Sequence, residues 1–247
     1  YEIAQCLVGA EMCIRDSLKK VLASSETVFS PEIVRYKTLE DGDSLALHIF
    51  KPRNMQAGEK RPAIVYFFGG GWKLGTPIQF YRECAYYASK GMVAVSVDYR
   101  IGYLHHSTPF ESFEDAKDAI CWLRSHASDY QLDPDKIAVA GGSAGGHLAA
   151  ALGTIGSDET VPAGYRPNLS VLYYPVVDMV SRGYGFPEIK RDFEKISPIH
   201  HVSEATPSTL ILLGTKDPIV SVETIEAYQD KLCLLYTSPS PRDTERS

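Results

Sequence analysis

The sequence lacks the features that mark several classes of protein. It has no apolar run near the length of about 18 residues that a membrane-spanning helix needs. It also has no basic run or stripe that could follow a phosphate backbone, and its net charge is −6. We therefore expect neither a membrane span nor a nucleic-acid partner.

The two ends of the chain correspond to one DNA sequence read from opposite strands. Residues 11–16 can be encoded as GAG ATG TGT ATA AGA GAC, followed by an A. The reverse complement of that string encodes Cys-Leu-Leu-Tyr-Thr-Ser, which is the sequence of residues 233–238. The match continues outward and resembles a transposon-type sequencing adapter. We therefore expect residues 1–17 and 233–247 to be foreign, the domain to span residues 18–232, and the native N-terminus to be missing.

Cysteine is scarce once those ends are set aside. Of the five cysteines, Cys6, Cys13 and Cys233 lie in the terminal segments, which leaves Cys84 and Cys121. Two isolated cysteines imply neither a disulfide framework nor a metal cluster, so we expect no metal ion. Because a leader could have preceded the retained residues, the sequence leaves the compartment open, and the oligomeric state as well.

The chain contains an alternation of buried strands and amphipathic helices. Strands are expected at 44–50, 63–68, 92–97, 137–140, 169–174 and 209–213, and helices at 80–88, 113–123 and after the strand at 137–140. This alternation predicts an α/β fold with a doubly wound, mostly parallel sheet, which binds ligands beyond the carboxyl ends of its strands. The segment near 179–208 has no clear periodicity and is expected to form a small cap.

One motif organises the chemistry. Gly141-Gly142-Ser143-Ala144-Gly145 follows an apolar strand and opens a helix, which predicts a sharp turn that presents the Ser143 hydroxyl outside the sheet. The N-terminus of the helix directs unpaired N–H groups at any negative charge formed beside that hydroxyl. The motif by itself is also compatible with an ordinary glycine-rich turn.

A second glycine-rich segment supplies hydrogen-bond donors. Gly69-Gly70-Gly71 ends a strand that is expected beside the Ser143 strand, where its N–H groups can approach a ligand. Acyl transfer through serine needs a nucleophile, a base, an acid that orients the base, and donors for the oxyanion. None of these parts requires a metal or a cofactor.

These motifs resemble, in order and spacing, the hormone-sensitive-lipase-like carboxylesterases of the α/β-hydrolase superfamily. The residues that carry the resemblance are Phe68–Trp72, Asp98–Arg100, Asp133–Ile137, Gly141–His147 and Gly214–Asp217. The resemblance implies Ser143 as nucleophile, Asp217 as acid, and the N–H groups of Gly70, Gly71 and Ala144 as the oxyanion hole. This sequence departs from the family pattern at Phe68, where the family usually has a histidine that orients the loop.

The general base is missing from the expected place. In the family it is a histidine that follows the acid after one more strand, yet no histidine follows His201 here. We therefore expect that the base was lost together with the last strand and helix, and that this chain is nearly inactive. His147 is expected to pack in the structure, and His105, His106, His200 and His201 to serve in the pocket or at the surface.

Several alternatives stay open at this stage. Asp178, which also follows a strand, is the rival for the acid. The expected substrates are short-chain acyl esters, acetyl esters among them, on a small molecule or a polysaccharide. The other functions are a serine peptidase of the prolyl-oligopeptidase type, which the absence of a propeller domain disfavours, and a non-catalytic binding protein that retains the hydrolase fold.

Overall fold

The computed structural model describes residues 30–53, 55–56, 58–156, 164–179, 189 and 192–235. Its strands are β1 (Glu32–Thr38), β2 (Ser44–Phe50), β3 (Arg61–Phe67), β4 (Val93–Val97), β5 (Leu132–Gly142), β6 (Leu169–Tyr173) and β7 (Ser208–Leu212). Its helices are α1 (Tyr81–Ser89), α2 (Gly102–His105), α3 (Pro109–Ser125), α4 (Ala144–Thr154), α5 (Phe193–Ile196) and α6 (Val222–Leu235).

The seven strands form one sheet in the order β1-β2-β4-β3-β5-β6-β7. β1 and β2 form an antiparallel hairpin, β2 pairs antiparallel with β4, and every later pairing is parallel. The predicted α/β class and the mostly parallel sheet are therefore confirmed. The observed strands differ from the expected ones at β1, which no expected strand covers, and at β5, which begins at Leu132 because that residue pairs with Arg61 of β3.

The core is built around the central strands β4, β3 and β5. Every residue of β4 is buried, as are the last five residues of β3, which is the pattern of parallel strands covered by helices on both faces. Helix α4 is buried along its whole length because Ala, Gly and Leu dominate its sequence and let it pack closely against the sheet. This packing fixes the carboxyl ends of β3 and β5 relative to the N-terminus of α4.

The final strand and helix are less covered than the centre. β7 pairs only with β6 among the described strands, and its residues alternate between exposed and half-buried. Helix α6 follows it and extends to Leu235, past the expected domain boundary at residue 232. No helix in the described part of the chain is long and apolar enough to span a membrane.

The predicted cap lies partly outside the described residues. Residues 180–188, 190 and 191 are not described, whereas residues 192–208 contain helix α5 and a short 3₁₀ turn at Pro198–His200. The cap therefore stays a prediction, as do the foreign ends, which lie mostly outside the described residues.

Candidate active site

Ser143 occupies the sharp turn between β5 and α4. Its backbone has φ 54° and ψ −118°, a left-handed conformation that is strained for a residue with a side chain. Its N–H donates to the Tyr173 carbonyl oxygen at 3.0 Å, and its own carbonyl oxygen accepts from the His147 N–H at 2.9 Å. These bonds hold the strained turn in place between β6 and the first turn of α4.

The glycines on either side of Ser143 allow close approach of backbone to backbone. A Cβ on Gly141 would lie 2.3 Å from the Gly145 carbonyl oxygen, and a Cβ on Gly145 would lie 2.0 Å from the Phe67 carbonyl oxygen. Because neither contact is possible for a real side chain, both positions require glycine. The start of α4 therefore rests directly on the end of β3, next to the glycine-rich loop.

That loop, Gly69–Gly71, adopts backbone conformations that favour glycine. Gly70 has φ 139° and Gly71 has φ 63°, and the Gly70 carbonyl oxygen accepts hydrogen bonds from the N–H groups of Lys73 and Leu74, each at 3.1 Å. The Gly69 N–H donates to Oε1 of Gln79 at 2.5 Å. A Cβ on Gly69 would lie 3.4 Å from the Ser143 Cβ, so the loop and the serine face each other.

Three N–H groups near the serine remain available. Within the described residues, the N–H groups of Gly70, Gly71 and Ala144 donate no hydrogen bond, and the Ser143 hydroxyl has no hydrogen-bond partner. Unpaired N–H groups at a helix start and a glycine-rich loop suit an anionic oxygen. The arrangement can therefore stabilise negative charge on an atom bound at Ser143.

Phe68 has a packing role at the position where the resembled family has histidine. Its ring stacks on Tyr99 with a centroid distance of 4.1 Å and an interplanar angle of 15°. The Tyr99 hydroxyl donates to the Phe68 carbonyl oxygen at 2.6 Å. Phe68 and Tyr99 together anchor the beginning of the glycine-rich loop through stacking and one backbone hydrogen bond.

Ser143 opens into a cleft of about 360 Å³. The cleft is lined by Gly69, Gly70, Leu74, Gly75, Thr76, Ile78, Gln79, Ser143 and Tyr174. Gly71 instead lines a neighbouring cleft of about 320 Å³, together with Trp72, Lys73, Tyr103 and His106, among others. A larger cavity of about 790 Å³ lies beside Lys51, Arg61 and Lys90, where strands β3 and β4 begin, and contains none of the predicted site residues.

Tyr174 and Gln79 are site residues that the sequence analysis did not identify. Tyr174 has φ 38°, and its hydroxyl lies 2.8 Å from where a Cβ on Gly142 would be, which folds the ring over the turn beside Ser143. Its place directly after β6, at the carboxyl edge of the sheet, is a signal that could have found it. Gln79 lies in a short 3₁₀ turn and carried no such signal.

The two carboxylates considered for the acid are differently placed. Asp217 lines neither cleft, and its Oδ1 accepts from the N–H groups of Ile219 and Val220, each at 2.9 Å. These two backbone hydrogen bonds lower the pKa of Asp217 below its ordinary value. Oδ1 of Asp178 lies 3.9 Å from Nε2 of His200. The structure thus brings Ser143 and the glycine-rich loop together, but it records no contact of either carboxylate with Ser143.

All seven histidines lie in the described residues, and no histidine side chain forms a hydrogen bond with the Ser143 hydroxyl. His147 is fully buried, its Nδ1 accepts from Nε1 of Trp72 at 3.3 Å, and its Nε2 donates to the Ile196 carbonyl oxygen at 2.6 Å. Burial lowers the pKa of His147 to about 4. Nδ1 of His105 accepts from the Ile101 N–H at 3.0 Å. No group of three or more potential metal ligands occurs among the described residues.

Comparison with known proteins identifies the family. The BD-FAE family model matches residues 47–232, which include both glycine-rich segments and Asp217. The chain belongs to the BD-FAE family. The sheet of this BD-FAE member matches that of Thermogutta terrifontis esterase 2 phosphonylated by sarin, with a TM-score of 0.78 and 34% sequence identity over 83% of this chain and 80% of that one. The fold is accordingly that of α/β-hydrolase esterases.

Curated relatives of this BD-FAE member are esterases of greater length. Esterase LipC of Mycobacterium tuberculosis is 29% identical over 223 residues, which cover 78% of this chain and 53% of LipC. An acetylxylan esterase of Xylanibacter ruminicola is 26% identical over 201 residues, 75% of this chain and 39% of that protein. The chain therefore spans about half the length, or less, of these curated relatives.

Proposed function

We propose that this BD-FAE member is a carboxylic-ester hydrolase that acts through an acyl-enzyme on Ser143. The observation that carries the proposal is the strained turn at Ser143, φ 54°, facing a loop whose Gly70 and Gly71 N–H groups are unpaired within the described residues. Backbone strain at a position fixed by several hydrogen bonds is typical of functional sites. The esterase relatives support the same reaction class.

In the proposed reaction, the Ser143 hydroxyl oxygen attacks the ester carbonyl carbon while its proton passes to a base. The carbonyl oxygen becomes an oxyanion that accepts hydrogen bonds from the N–H groups of Gly70, Gly71 and Ala144. As this intermediate collapses, the bond from the carbonyl carbon to the alcohol oxygen breaks and the base returns its proton to that oxygen. The neutral alcohol leaves, and the acyl group stays on Ser143. Water then attacks the acyl-enzyme by the same route and releases the carboxylic acid.

We propose that the base is a histidine outside this chain's own sequence, oriented by Asp217. The absence of a hydrogen bond between the Ser143 hydroxyl and the side chain of any of the seven histidines supports this assignment. Asp217, whose carboxylate is kept ionised by the Ile219 and Val220 N–H groups, is the preferred acid, and Asp178 remains the rival. A serine site without its base retains only the residual catalysis of the oxyanion hole and substrate binding.

The proposed substrates are esters of short acyl chains, including acetyl. The cleft at Ser143, at about 360 Å³, lies at the small end of the range of about 300 to 1,000 Å³ for ligand sites. The acetylxylan esterase relative makes a polysaccharide-linked acetyl ester a candidate.

The test is the hydrolysis of p-nitrophenyl acetate by the chain extended by its natural continuation after residue 232 and by the Ser143→Ala variant of that extended chain. We expect Ser143→Ala to leave only the residual catalysis of the oxyanion hole and substrate binding, whereas Ser89→Ala at an exposed hydroxyl changes nothing. Equal rates for the extended chain and its Ser143→Ala variant would reject Ser143 as the nucleophile.

A second test addresses the missing base. We expect that joining the natural continuation of the gene after residue 232 raises kcat by about 10² to 10⁴, the usual contribution of a general base. A continuation that contains no histidine, or that leaves kcat unchanged, would contradict this assignment.

A further inference from the structure

Trp72 links the glycine-rich loop to the helix that carries the nucleophile. It follows Gly71 directly, has φ 58°, and is 2% exposed. Its indole Nε1 donates to Nδ1 of His147 at 3.3 Å, and the two rings meet edge to face with centroids 5.2 Å apart. Because Trp72 is the residue next to the loop, fixing its side chain restricts where the loop ends.

His147 makes a second hydrogen bond on the other side of its ring. Nε2 lies 2.6 Å from the carbonyl oxygen of Ile196, the last residue of α5. A carbonyl oxygen only accepts, so Nε2 carries the proton and Nδ1 is the acceptor for Trp72. One neutral tautomer satisfies both bonds, and the lowered pKa of His147, about 4, keeps that form at neutral pH.

The other contacts of the loop act mainly on its beginning or on the Trp72 backbone. Gln79 accepts from the Gly69 N–H, and Tyr99 donates to the Phe68 carbonyl oxygen. The Gly102 N–H donates to the Trp72 carbonyl oxygen at 2.8 Å. By contrast, the bond to His147 ties the end of the loop to α4, the helix that begins directly after Ser143.

We propose that His147 is a positioning residue: its ring holds Trp72 and Ile196 against α4 and thereby sets the Gly70 and Gly71 N–H groups relative to Ser143. The proposal rests on the proposed function, in which those N–H groups form the oxyanion hole. His147 touches neither the substrate nor the reacting atoms. It acts through Trp72, at the end of the loop opposite to Phe68.

The kinetic test removes the indole N–H and keeps an aromatic side chain. We expect Trp72→Phe to lower kcat for p-nitrophenyl acetate about tenfold with KM within about twofold, because the loop loses its hydrogen bond to His147. His147→Asn keeps a short acceptor for Trp72 and should retain more activity than His147→Leu. The double variant Trp72→Phe/His147→Leu should be no worse than His147→Leu alone, because both changes remove the same bond.

The chain offers a matched control. Trp122, near the end of α3, and His126, which follows that helix, form a second tryptophan–histidine pair, stacked with centroids 3.9 Å apart. Both are half-buried, and neither lines the cleft at Ser143 or the neighbouring cleft at Gly71. We expect Trp122→Phe to leave kcat and KM unchanged. An unchanged kcat in Trp72→Phe, or a loss of kcat in Trp122→Phe as large as that in Trp72→Phe, would overturn the proposal.

A spectroscopic test is independent of turnover. Because the chain has two tryptophans, Trp122→Phe assigns the two indole N–H signals in a ¹H–¹⁵N NMR spectrum. We expect the Trp72 indole proton to exchange slowly, His147 to show the Nε2–H tautomer, and the Gly70 and Gly71 amide signals to move in Trp72→Phe. An Nδ1–H tautomer, or Gly70 and Gly71 signals that do not move, would refute the positioning role. If the chain extended by its natural continuation shows no hydrolysis that depends on Ser143, the proposed function fails while this test still decides the role of His147.

Discussion

The two halves of the candidate site are held in place to very different degrees. Ser143 and the glycine-rich loop follow the carboxyl ends of β5 and β3, two adjacent strands that pair from Ile137 to Gly141 and from Ala63 to Phe67. Asp217 follows β7, whose residues alternate between exposed and half-buried, and its carboxylate is bonded to the N–H groups of Ile219 and Val220 in its own turn. The serine half is therefore fixed by contacts between distant segments, and the acid half by local contacts.

This difference shows where the fold itself determines chemistry. Around Ser143, backbone atoms of β3, the glycine-rich loop, β5 and α4 lie so close together that one added methyl group would clash, as at Gly141 and Gly145. Around Asp217 there is room, and a Cβ on Gly214 would meet nothing within 4 Å. We expect substitutions in the serine half to alter both activity and stability, and those in the acid half to alter little in this chain.

The largest expected effect follows from Gly70→Ala. Gly70 has φ 139°, and a Cβ there would lie 1.9 Å from the Leu74 carbonyl oxygen. The loop must therefore move, and its N–H groups would no longer point at the oxyanion. We expect kcat for p-nitrophenyl acetate to fall by about 10² to 10³, the usual loss for one oxyanion donor. Gly42→Ala, with φ 86° and nothing within 4 Å, is the matched control and should stay within about twofold. Comparable losses in both variants would mean that the loop has no special role.

The next effect is on stability and compares one glycine from each half. Gly145→Ala would bring a Cβ within 2.0 Å of the Phe67 carbonyl oxygen, and we expect it to lower the free energy of unfolding by about 2 to 3 kcal/mol. Gly214→Ala should change it by less than about 0.5 kcal/mol. Urea unfolding of both variants measures the difference. Similar losses in the two variants would contradict the claim that the serine half is more closely packed than the acid half.

Because of His147, we expect the free energy of unfolding to decrease as the pH falls from 6.5 to about 4. Burial lowers the pKa of His147 from 6.5 to about 4, so below pH 6.5 the unfolded chain binds a proton that the folded chain does not. Stability from this group is complete above pH 6.5 and is lost as the pH falls toward 4, by on the order of 1 to 3 kcal/mol. Asp217, whose pKa is lowered, loses its contribution only as the pH falls below the ordinary value of 3.8.

The measurement is the free energy of unfolding at pH 7 and pH 5 for the unaltered chain and for His147→Asn. Asp98 has the opposite effect on the free energy of unfolding. Burial raises its pKa to about 7, so the folded state takes up a proton as the pH falls and gains stability from it. We therefore compare the two proteins and predict that the free energy of unfolding decreases less between pH 7 and pH 5 in His147→Asn than in the unaltered chain. Equal slopes would show that His147 is not held neutral by burial.

The smallest expected effect is that of Asp217→Asn. Because no histidine is bonded to Asp217 in the described residues, the substitution should change hydrolysis by this chain by less than about twofold. In a chain extended by its natural continuation, the same substitution should lower kcat by about 10⁴, the loss seen when the acid of a serine triad is neutralised. A large loss in the unextended chain would mean that Asp217 already acts on a base.

Much of the serine half could be predicted from the sequence because local rules set it. The apolar strand before Gly141, the small residues after Ser143 and the glycine triplet each predict one conformation, and the structure places them together. The position of Tyr174 over the turn could not be predicted, because it depends on a strained backbone whose N–H donates to the Leu212 carbonyl oxygen of β7 at 2.7 Å. The Trp72–His147 bond joins residues 75 positions apart, and no local pattern specifies such a contact.

The acid half was predicted less completely for a related reason. Asp217 was predicted as the acid from the resemblance to the carboxylesterases, and sequence spacing does not show that its carboxylate bonds to its own turn. The predicted cap overlaps residues 180–188, 190 and 191, which lie outside the described part of the chain. Its shape, and therefore the chain length of the acyl group, stays a prediction.

The most direct test of the central claim is a crystal structure of the protein after reaction with a p-nitrophenyl phosphonate ester. We predict a covalent adduct on the Ser143 hydroxyl oxygen, with the phosphoryl oxygen within about 2.7 to 3.1 Å of the N–H groups of Gly70, Gly71 and Ala144. An adduct on another residue, or a phosphoryl oxygen on Ser143 that faces solvent away from the glycine-rich loop, would contradict the account.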